Sequence, residues 1–295
     1  MGSALAAASG IGFGAFQSIN RRAAAGIRSA YVSTFLQLLV ALAVLVVASV
    51  SAADLGSLST ATASTIAWFG GAGAVHFFCG WTLLNMSQQR IGAARTSPLL
   101  STSPVFAAFV AWITLGEVPR ALSWLGIALV VGGAAAVAAV PARQAAGHAS
   151  WLDARFGIGT ALAWAISPVL IRHGLDGLDS PLLGVTIGLA AAVLVYLAAL
   201  PVFERGSGGY LGSREALLLK LFAGLLVGLA TWARYAALDN ATIAVVAALQ
   251  LLSVPVVLLV SPRLMGGHLE LVNRTVWTGA GLVIAGSLLL VVAGA

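Results

Sequence analysis

Ten stretches of mostly apolar residues run through the chain, and they constrain its fold more than any other feature. A helix needs about 20 such residues to cross the hydrocarbon core of a bilayer. Because lipid offers backbone groups no hydrogen-bonding partner, each spanning stretch must be an α-helix. We therefore predict an all-α integral membrane fold with ten transmembrane helices. The stretches run near 4–20, 30–50, 65–84, 92–115, 122–140, 154–171, 181–203, 216–236, 241–260 and 276–294.

The composition excludes a water-soluble fold. Hydrophobic residues make up 60% of the 295 residues, charged residues make up 8%, and the mean hydropathy is +1.02. A soluble domain carries about a quarter charged residues. Too little polar surface remains here to cover an aqueous core.

The basic charge balance does not indicate nucleic-acid binding. The chain has 15 Lys and Arg against 9 Asp and Glu, but its basic residues are scattered singly and form no patch that would follow a phosphate backbone. The single cysteine, Cys79, excludes a disulfide within the chain, and no paired Cys or His spacing suggests a metal. We expect no nucleic-acid partner, no metal and no cofactor.

The distribution of basic residues predicts an orientation, because cytoplasmic connections carry an excess of Lys and Arg. Connections after odd-numbered stretches, with the adjoining helix ends, hold twelve basic residues, and those after even-numbered stretches hold three. This count places the odd connections in the cytoplasm and both termini outside. The three even-side residues are Arg120, Arg172 and Arg234.

The two halves of the chain align with one another, which indicates an internal repeat. Residues 1–142 and 151–295 would each contain five helices, so the second copy would enter the membrane from the opposite side. Such inverted repeats are typical of secondary transporters, whose substrate site lies near the midplane between the copies. An offset of 151 residues pairs Trp81 with Trp232, Pro104 with Pro255 and Arg21 with Arg172; an offset of 153 pairs Glu117 with Glu270, Trp124 with Trp277, Gly126 with Gly279 and Gly133 with Gly286.

The best-matched stretch resembles the EamA-type repeat of the drug/metabolite transporter superfamily. The resemblance rests on residues 90–95, Pro104, residues 115–117, residues 124–126 and residues 132–133. The second copy departs from it at residues 261–263 and 266–268, where a compact Leu-Gly-Glu turn is usual. The resemblance implies a transporter but not a substrate, and it implies cytoplasmic termini, opposite to the charge count.

We therefore expect a secondary transporter that moves a small polar or amphipathic metabolite, such as an amino acid, by alternating access between two inverted repeats. Export across a bacterial inner (plasma) membrane is the expected direction and location. No Walker-type glycine loop is present, so proton antiport, exchange or downhill movement remain as energy sources. A lipid-carrier flippase or a channel is the alternative, whereas an intramembrane enzyme lacks the catalytic motifs. A monomer is expected, with a homodimer left open.

Ionisable and polar residues at membrane depth are the candidates for the site, because each needs a partner or a watery cavity. His76 lies midway along the third stretch and is a candidate for binding substrate or a proton, or for a buried hydrogen bond. Gln17 and Asn20 lie on the first stretch, where Asn20 and Arg21 alternatively mark the membrane interface. Gln250 and Ser253 form a polar face before Pro255.

Aromatic and charged residues complete the predicted site. Trp81, Trp164, Trp232 and Tyr235 are expected to line the cavity, with an interfacial aromatic belt as the alternative. Arg234 and Asp239 would pair as a gate, or would be ordinary loop charges. Pro104, Glu117, Pro255 and Glu270 are interpreted as marks of the repeat rather than as substrate ligands.

Overall fold

The computed structural model describes residues 1–27, 29–52, 55–59, 61–107, 109, 121–140, 151–203, 213–266 and 272–294. Helix is the only regular secondary structure in these residues. The α-helices of the first half are α1 (Gly2–Ala24), α2 (Ala30–Ala52), α3 (Ala63–Gly73), α4 (Trp81–Ile91), α5 (Ala93–Leu100) and α6 (Ala121–Ala138). Those of the second half are α7 (Ala154–Gly177), α8 (Pro181–Phe203), α9 (Arg214–Asn240), α10 (Ile243–Gln250), α11 (Ser253–Met265) and α12 (Arg274–Gly294).

Seven helical segments of the described residues are long and apolar enough to cross a membrane. They lie at Ala30–Ala52, Ala121–Ala138, Ala154–Gly177, Pro181–Val202, Arg214–Asn240, Val245–Met265 and Arg274–Val292. Their outward faces expose large apolar side chains such as Val47, Leu194 and Val292, which suits contact with lipid. The predicted all-α, multi-pass membrane fold is confirmed at this level, and the count of ten spans stays a prediction.

The first, third and fourth predicted spans are missing from these seven for visible reasons. Helix α1 is 23 residues long but carries Gln17, Asn20, Arg21 and Arg22 near its end. The third span is divided, because a π-helical segment over Ala74–Gly80 separates α3 from α4. The fourth is described only in part, as α5 followed by a helical segment over 103–107.

Glycine shapes the junction between α4 and α5. Gly92 has a φ of 80°, a left-handed conformation that favours glycine, and it lets the chain turn between the two helices. The buried side of this region is polar as well as apolar, since Ser87 and Thr96 share a 2.8 Å hydrogen bond across the turn. The turn therefore brings the start of α5 back against the end of α4.

Helices α6 and α12 pack against one another through facing glycines. A Cβ at Gly126 would lie 2.9 Å from the carbonyl oxygen of Gly286, and a Cβ at Gly279 would lie 2.8 Å from that of Gly133. Small residues at these points let the two backbones approach closely. The order of the contacts makes the two helices antiparallel.

The long helix α9 packs along α1, and α7 packs along α3, the π-helical segment and α4. In the first interface the Ser9 hydroxyl donates to the carbonyl oxygen of Ala230 at 2.7 Å. In the second, the Thr160 hydroxyl approaches the carbonyl oxygen of Gly80 at 3.3 Å. Thr160 lies 151 residues after Ser9, which is the offset of the predicted repeat.

Candidate functional site

A cavity of about 740 Å³, counted with its opening, lies between helices of the two halves. Its walls come from α1, α5 with the segment after it, α7, α9, and α10 with α11. The lining residues are Phe13, Gln17, Leu100, Ser101, Ser103, Pro104, Ala107, Trp164, Ala165, Pro168, Arg234, Leu238, Ile243, Val246, Ala247, Gln250, Leu251 and Ser253.

Four of the predicted polar residues meet at this cavity: Gln17, Arg234, Gln250 and Ser253. The Gln250 amide donates to the Ser9 hydroxyl at 2.8 Å, which holds its side chain against α1. The Gln17 side-chain oxygen is buried and has no hydrogen-bond partner among the described residues. The cavity wall therefore offers a hydrogen-bond acceptor that the bundle itself leaves unused.

His76 lies directly behind the cavity wall, on the π-helical segment, and is 1% exposed. Its Nδ1 lies 2.8 Å from the Ser167 hydroxyl, and its ring stacks on Trp164 with centroids 5.2 Å apart. A guanidinium nitrogen of Arg234 lies 3.4 Å from each of its ring nitrogens. His76 thus contacts two lining residues without lining the cavity itself, as the buried-hydrogen-bond alternative requires.

Arg234 and Asp239 do not form the predicted pair. The Arg234 side chain is buried at the cavity, whereas Asp239 is exposed and accepts a 3.2 Å hydrogen bond from Asn240. Residues five apart on an α-helix point in directions about 140° apart, which separates the two side chains. Arg234 therefore belongs to the cavity, and Asp239 belongs to the end of the bundle.

The four predicted aromatic residues separate into three environments. Trp164 lines the cavity and also contacts the Phe13 ring. Trp81 and Tyr235 are fully buried and do not line it; Trp81 packs on Phe77, and Tyr235 stacks on Phe69. Trp232 is 37% exposed and is also outside the cavity lining. Trp232 therefore lies on an exposed face of α9, and its contact with substrate stays a prediction.

A buried polar cluster lies near the start of α9, far from Arg234, and the sequence does not predict it. The Lys220 ammonium, 1% exposed, donates to the side-chain oxygens of Asn20, Gln37 at 3.1 Å and Asn85 at 3.4 Å. Asn20 in turn donates to Asn85 and Gln88. Asn20 therefore belongs to this cluster, not to the cavity lining, because it lies almost one helical turn beyond Gln17.

The position that the predicted repeat pairs with Lys220 is apolar. Phe69 lies 151 residues before Lys220 and is also fully buried. Its ring fills a slot next to two glycines, since a Cβ would lie 2.6 Å from that ring at Gly174 and 2.5 Å at Gly184. One end of the bundle is thus held by an ammonium among amides, and the corresponding place by an aromatic ring among glycines.

Two of the predicted repeat marks, Glu117 and Glu270, lie outside the described residues. The other two are described: Pro104 lines the cavity, and Pro255 lies in the first turn of α11, where its missing N–H costs no helical hydrogen bond. Within the described residues, no group of three His, Cys, Asp or Glu side chains could hold a metal ion.

Comparison with known proteins adds a family and a fold. Residues 1–139 match the EamA-like transporter family. No curated protein matches the sequence significantly. Twenty-two chains of solved structures are similar to this one. One, described as "Crystal structure of protein", has a TM-score of 0.61 at 16% identity over 96% of this chain and 97% of its own. At that identity the likeness shows the fold alone.

Proposed function

We propose that this chain, whose residues 1–139 match the EamA-like transporter family, is a secondary transporter that exports a small polar or amphipathic metabolite. Transport would occur by alternating access between two inverted five-helix repeats. The observation that carries the proposal is the cavity between the halves, which combines residues of α1 and α5 with residues of α7, α9 and α10.

The packing of α6 on α12 supports the inverted repeat. Gly126 contacts Gly286 and Gly133 contacts Gly279, while the sequence repeat pairs Gly126 with Gly279 and Gly133 with Gly286. Each glycine therefore contacts the counterpart of the other, which is the reciprocal pattern of a two-fold axis. A two-fold axis that relates two antiparallel helices runs perpendicular to them, and this geometry supports a second copy that is inverted in the membrane.

Differences between aligned residues support a conformation that is open at one end. Gln88 is fully buried, whereas its counterpart Asp239 is exposed; Arg21 is 6% exposed, whereas Arg172 is half-buried. The cavity lining also reaches Leu238 and Ile243, next to the α9–α10 connection. We infer that the cavity opens at this end and that the Lys220 cluster closes the opposite end.

Burial of some basic residues changes the orientation count without reversing it. Arg21, Arg95 and Lys220 on the odd side and Arg234 on the even side lie inside the bundle, so they do not report on connections. The remaining basic residues divide nine against two. With that orientation the closed end is cytoplasmic, and a metabolite would be released from the open cavity to the outside.

Exchange in proteoliposomes tests the proposal. Vesicles containing the purified protein are loaded with an unlabelled amino-acid mixture, and uptake of labelled amino acids is followed. A carrier takes up label faster when its substrate is present inside, because the substrate-loaded carrier returns to the outward-facing state faster than the empty carrier does. A channel gives no such acceleration, and a flippase requires a lipid-linked substrate; either result contradicts the proposal. Equal rates with and without an imposed pH gradient would exclude proton coupling.

A further inference from the structure

Arg234 is a buried cation that the described residues leave without an anionic partner. Its side chain is 7% exposed, and it lines the cavity. Its guanidinium contacts the two ring nitrogens of His76 at 3.4 Å, and its Nε has no hydrogen-bond partner in the described part of the chain. None of the ion pairs found there includes it.

Other buried basic residues differ from Arg234 in this respect. Lys220 donates to three side-chain amide oxygens. Arg95 donates to the carbonyl oxygens of Ile91 at 2.8 Å and Val140 at 2.6 Å. Both cations are therefore satisfied by oxygen acceptors of the bundle, whereas the hydrogen-bonding contacts of Arg234 within the described residues are to imidazole nitrogens. A buried charge requires a partner, and a cavity-lining charge can obtain it from a ligand.

We propose, on the basis of the proposed transport function, that Arg234 binds the carboxylate of the transported substrate. A guanidinium matches a carboxylate with two parallel N–H donors. A monoanion fits better than a phosphate, because Arg234 is the only Lys or Arg among the described lining residues. The Phe13 and Trp164 rings at the same cavity would contact an apolar or aromatic body, and the free Gln17 oxygen would accept from an N–H group.

Thermal stability in detergent tests the proposal with matched probes. The probes are 3-phenylpropionate, indole-3-acetate and hexanoate, each compared with its uncharged primary amide. A ligand that binds the folded state raises its melting temperature by mass action. We expect a carboxylate to raise Tm by about 2–4 °C at saturating concentration, and its amide to leave Tm unchanged.

Arg234→Gln removes the charge and should abolish the carboxylate shift. Arg234→Lys keeps the charge without the planar fork and should retain a reduced shift. Arg155→Gln is the matched control, because Arg155 is exposed and outside the cavity, and it should respond as the unmodified protein does. The carboxylate–amide comparison in the unmodified protein needs no variant, so it remains decisive if Arg234→Gln fails to fold.

The proposal is overturned if no carboxylate stabilises the unmodified protein more than its amide does, or if folded Arg234→Gln keeps the full shift. Exchange assays separate this failure from failure of the transport function. If the protein exchanges only neutral or cationic compounds, the transport function stands and the carboxylate proposal is contradicted. If carboxylates stabilise the protein through Arg234 but no exchange occurs, the binding site stands and the transport function is contradicted.

Discussion

The imidazole of His76 lies face to face with the indole of Trp164, with ring centroids 5.2 Å apart and planes tilted by 13°. The two rings come from different halves of the chain. Ser167, one helical turn after Trp164 on α7, adds a 2.8 Å hydrogen bond to the same imidazole. This arrangement joins the halves immediately behind the cavity and holds the imidazole that Arg234 contacts from α9.

Ser167→Ala should destabilise the protein by about 1–3 kcal/mol, because it leaves a buried imidazole nitrogen without its partner. In a His76→Phe background, which retains ring stacking, the same substitution should cost much less. Thermal unfolding of the four proteins gives the coupling between the two side chains. A cost of Ser167→Ala that is the same in both backgrounds would contradict the assigned hydrogen bond.

Adjacent glycines on α6 should respond oppositely to alanine. A Cβ at Gly133 would lie 2.5 Å from the Gly279 carbonyl oxygen, whereas a Cβ at Gly132 has no atom within 4 Å. We expect Gly133→Ala to destabilise the bundle by about 1–3 kcal/mol through overpacking. Gly132→Ala should be neutral or stabilise slightly, because alanine favours helix. Similar melting temperatures for the two variants would contradict the close α6–α12 approach.

The aligned tryptophans should differ in their contribution to stability. Trp81 is fully buried and packs on Phe77, so Trp81→Ala should cost about 3–5 kcal/mol. Trp232 is 37% exposed, and Trp232→Leu should change stability by no more than about 0.5 kcal/mol. Unfolding measured in detergent compares the two variants. Loss of exchange activity in a stable Trp232→Leu protein would support Trp232 as a substrate contact.

Lys220→Met should loosen the closed end of the bundle. It removes the ammonium that joins Asn20, Gln37 and Asn85, and each charge-assisted hydrogen bond contributes about 1.5–3 kcal/mol. A cysteine at Ser33, which bonds to Asn85, should then react with a membrane-impermeant thiol reagent at least about tenfold faster.

The labelling is done in a Cys79→Ser background, because Cys79 is the only native cysteine. Arg155→Met is the control, since it removes an exposed basic residue rather than a buried one. An unchanged labelling rate in Lys220→Met, with a normal melting temperature, would show that the cluster does not close this end.

Much of the fold follows from local properties of the sequence. The apolar stretches predict membrane helices, because a helix satisfies all the backbone hydrogen bonds of a segment within lipid. Seven of the described helical segments are long and apolar enough to cross a membrane. The predicted repeat pairs Gly126 with Gly279 and Gly133 with Gly286, and α6 and α12 pack through these four glycines. Hydropathy does not predict the π-helical segment, because its extra residue per turn changes hydrogen bonding and not composition.

The candidate site was predicted less completely, because it depends on which helix faces meet. Gln17, Trp164 and Gln250 were identified from polarity or aromaticity within apolar stretches, and they line the cavity. The same polarity criterion does not predict the Lys220 cluster, because Lys220 lies near the end of its apolar stretch, where basic residues usually face water. Its isolation as the only lysine, together with Asn85 and Gln88 on the third stretch, is the signal that would have identified it.

Lys220 and Phe69, which the predicted offset of 151 residues pairs, hold their surroundings by different forces. The Phe69 ring is held by close packing against Gly174 and Gly184, and this packing involves no charge. The Lys220 ammonium needs oxygen acceptors, so a movement that separates it from Asn20, Gln37 and Asn85 leaves a charge that water must hydrate. Opening the bundle at Lys220 therefore requires water to enter, whereas parting the helices around Phe69 does not.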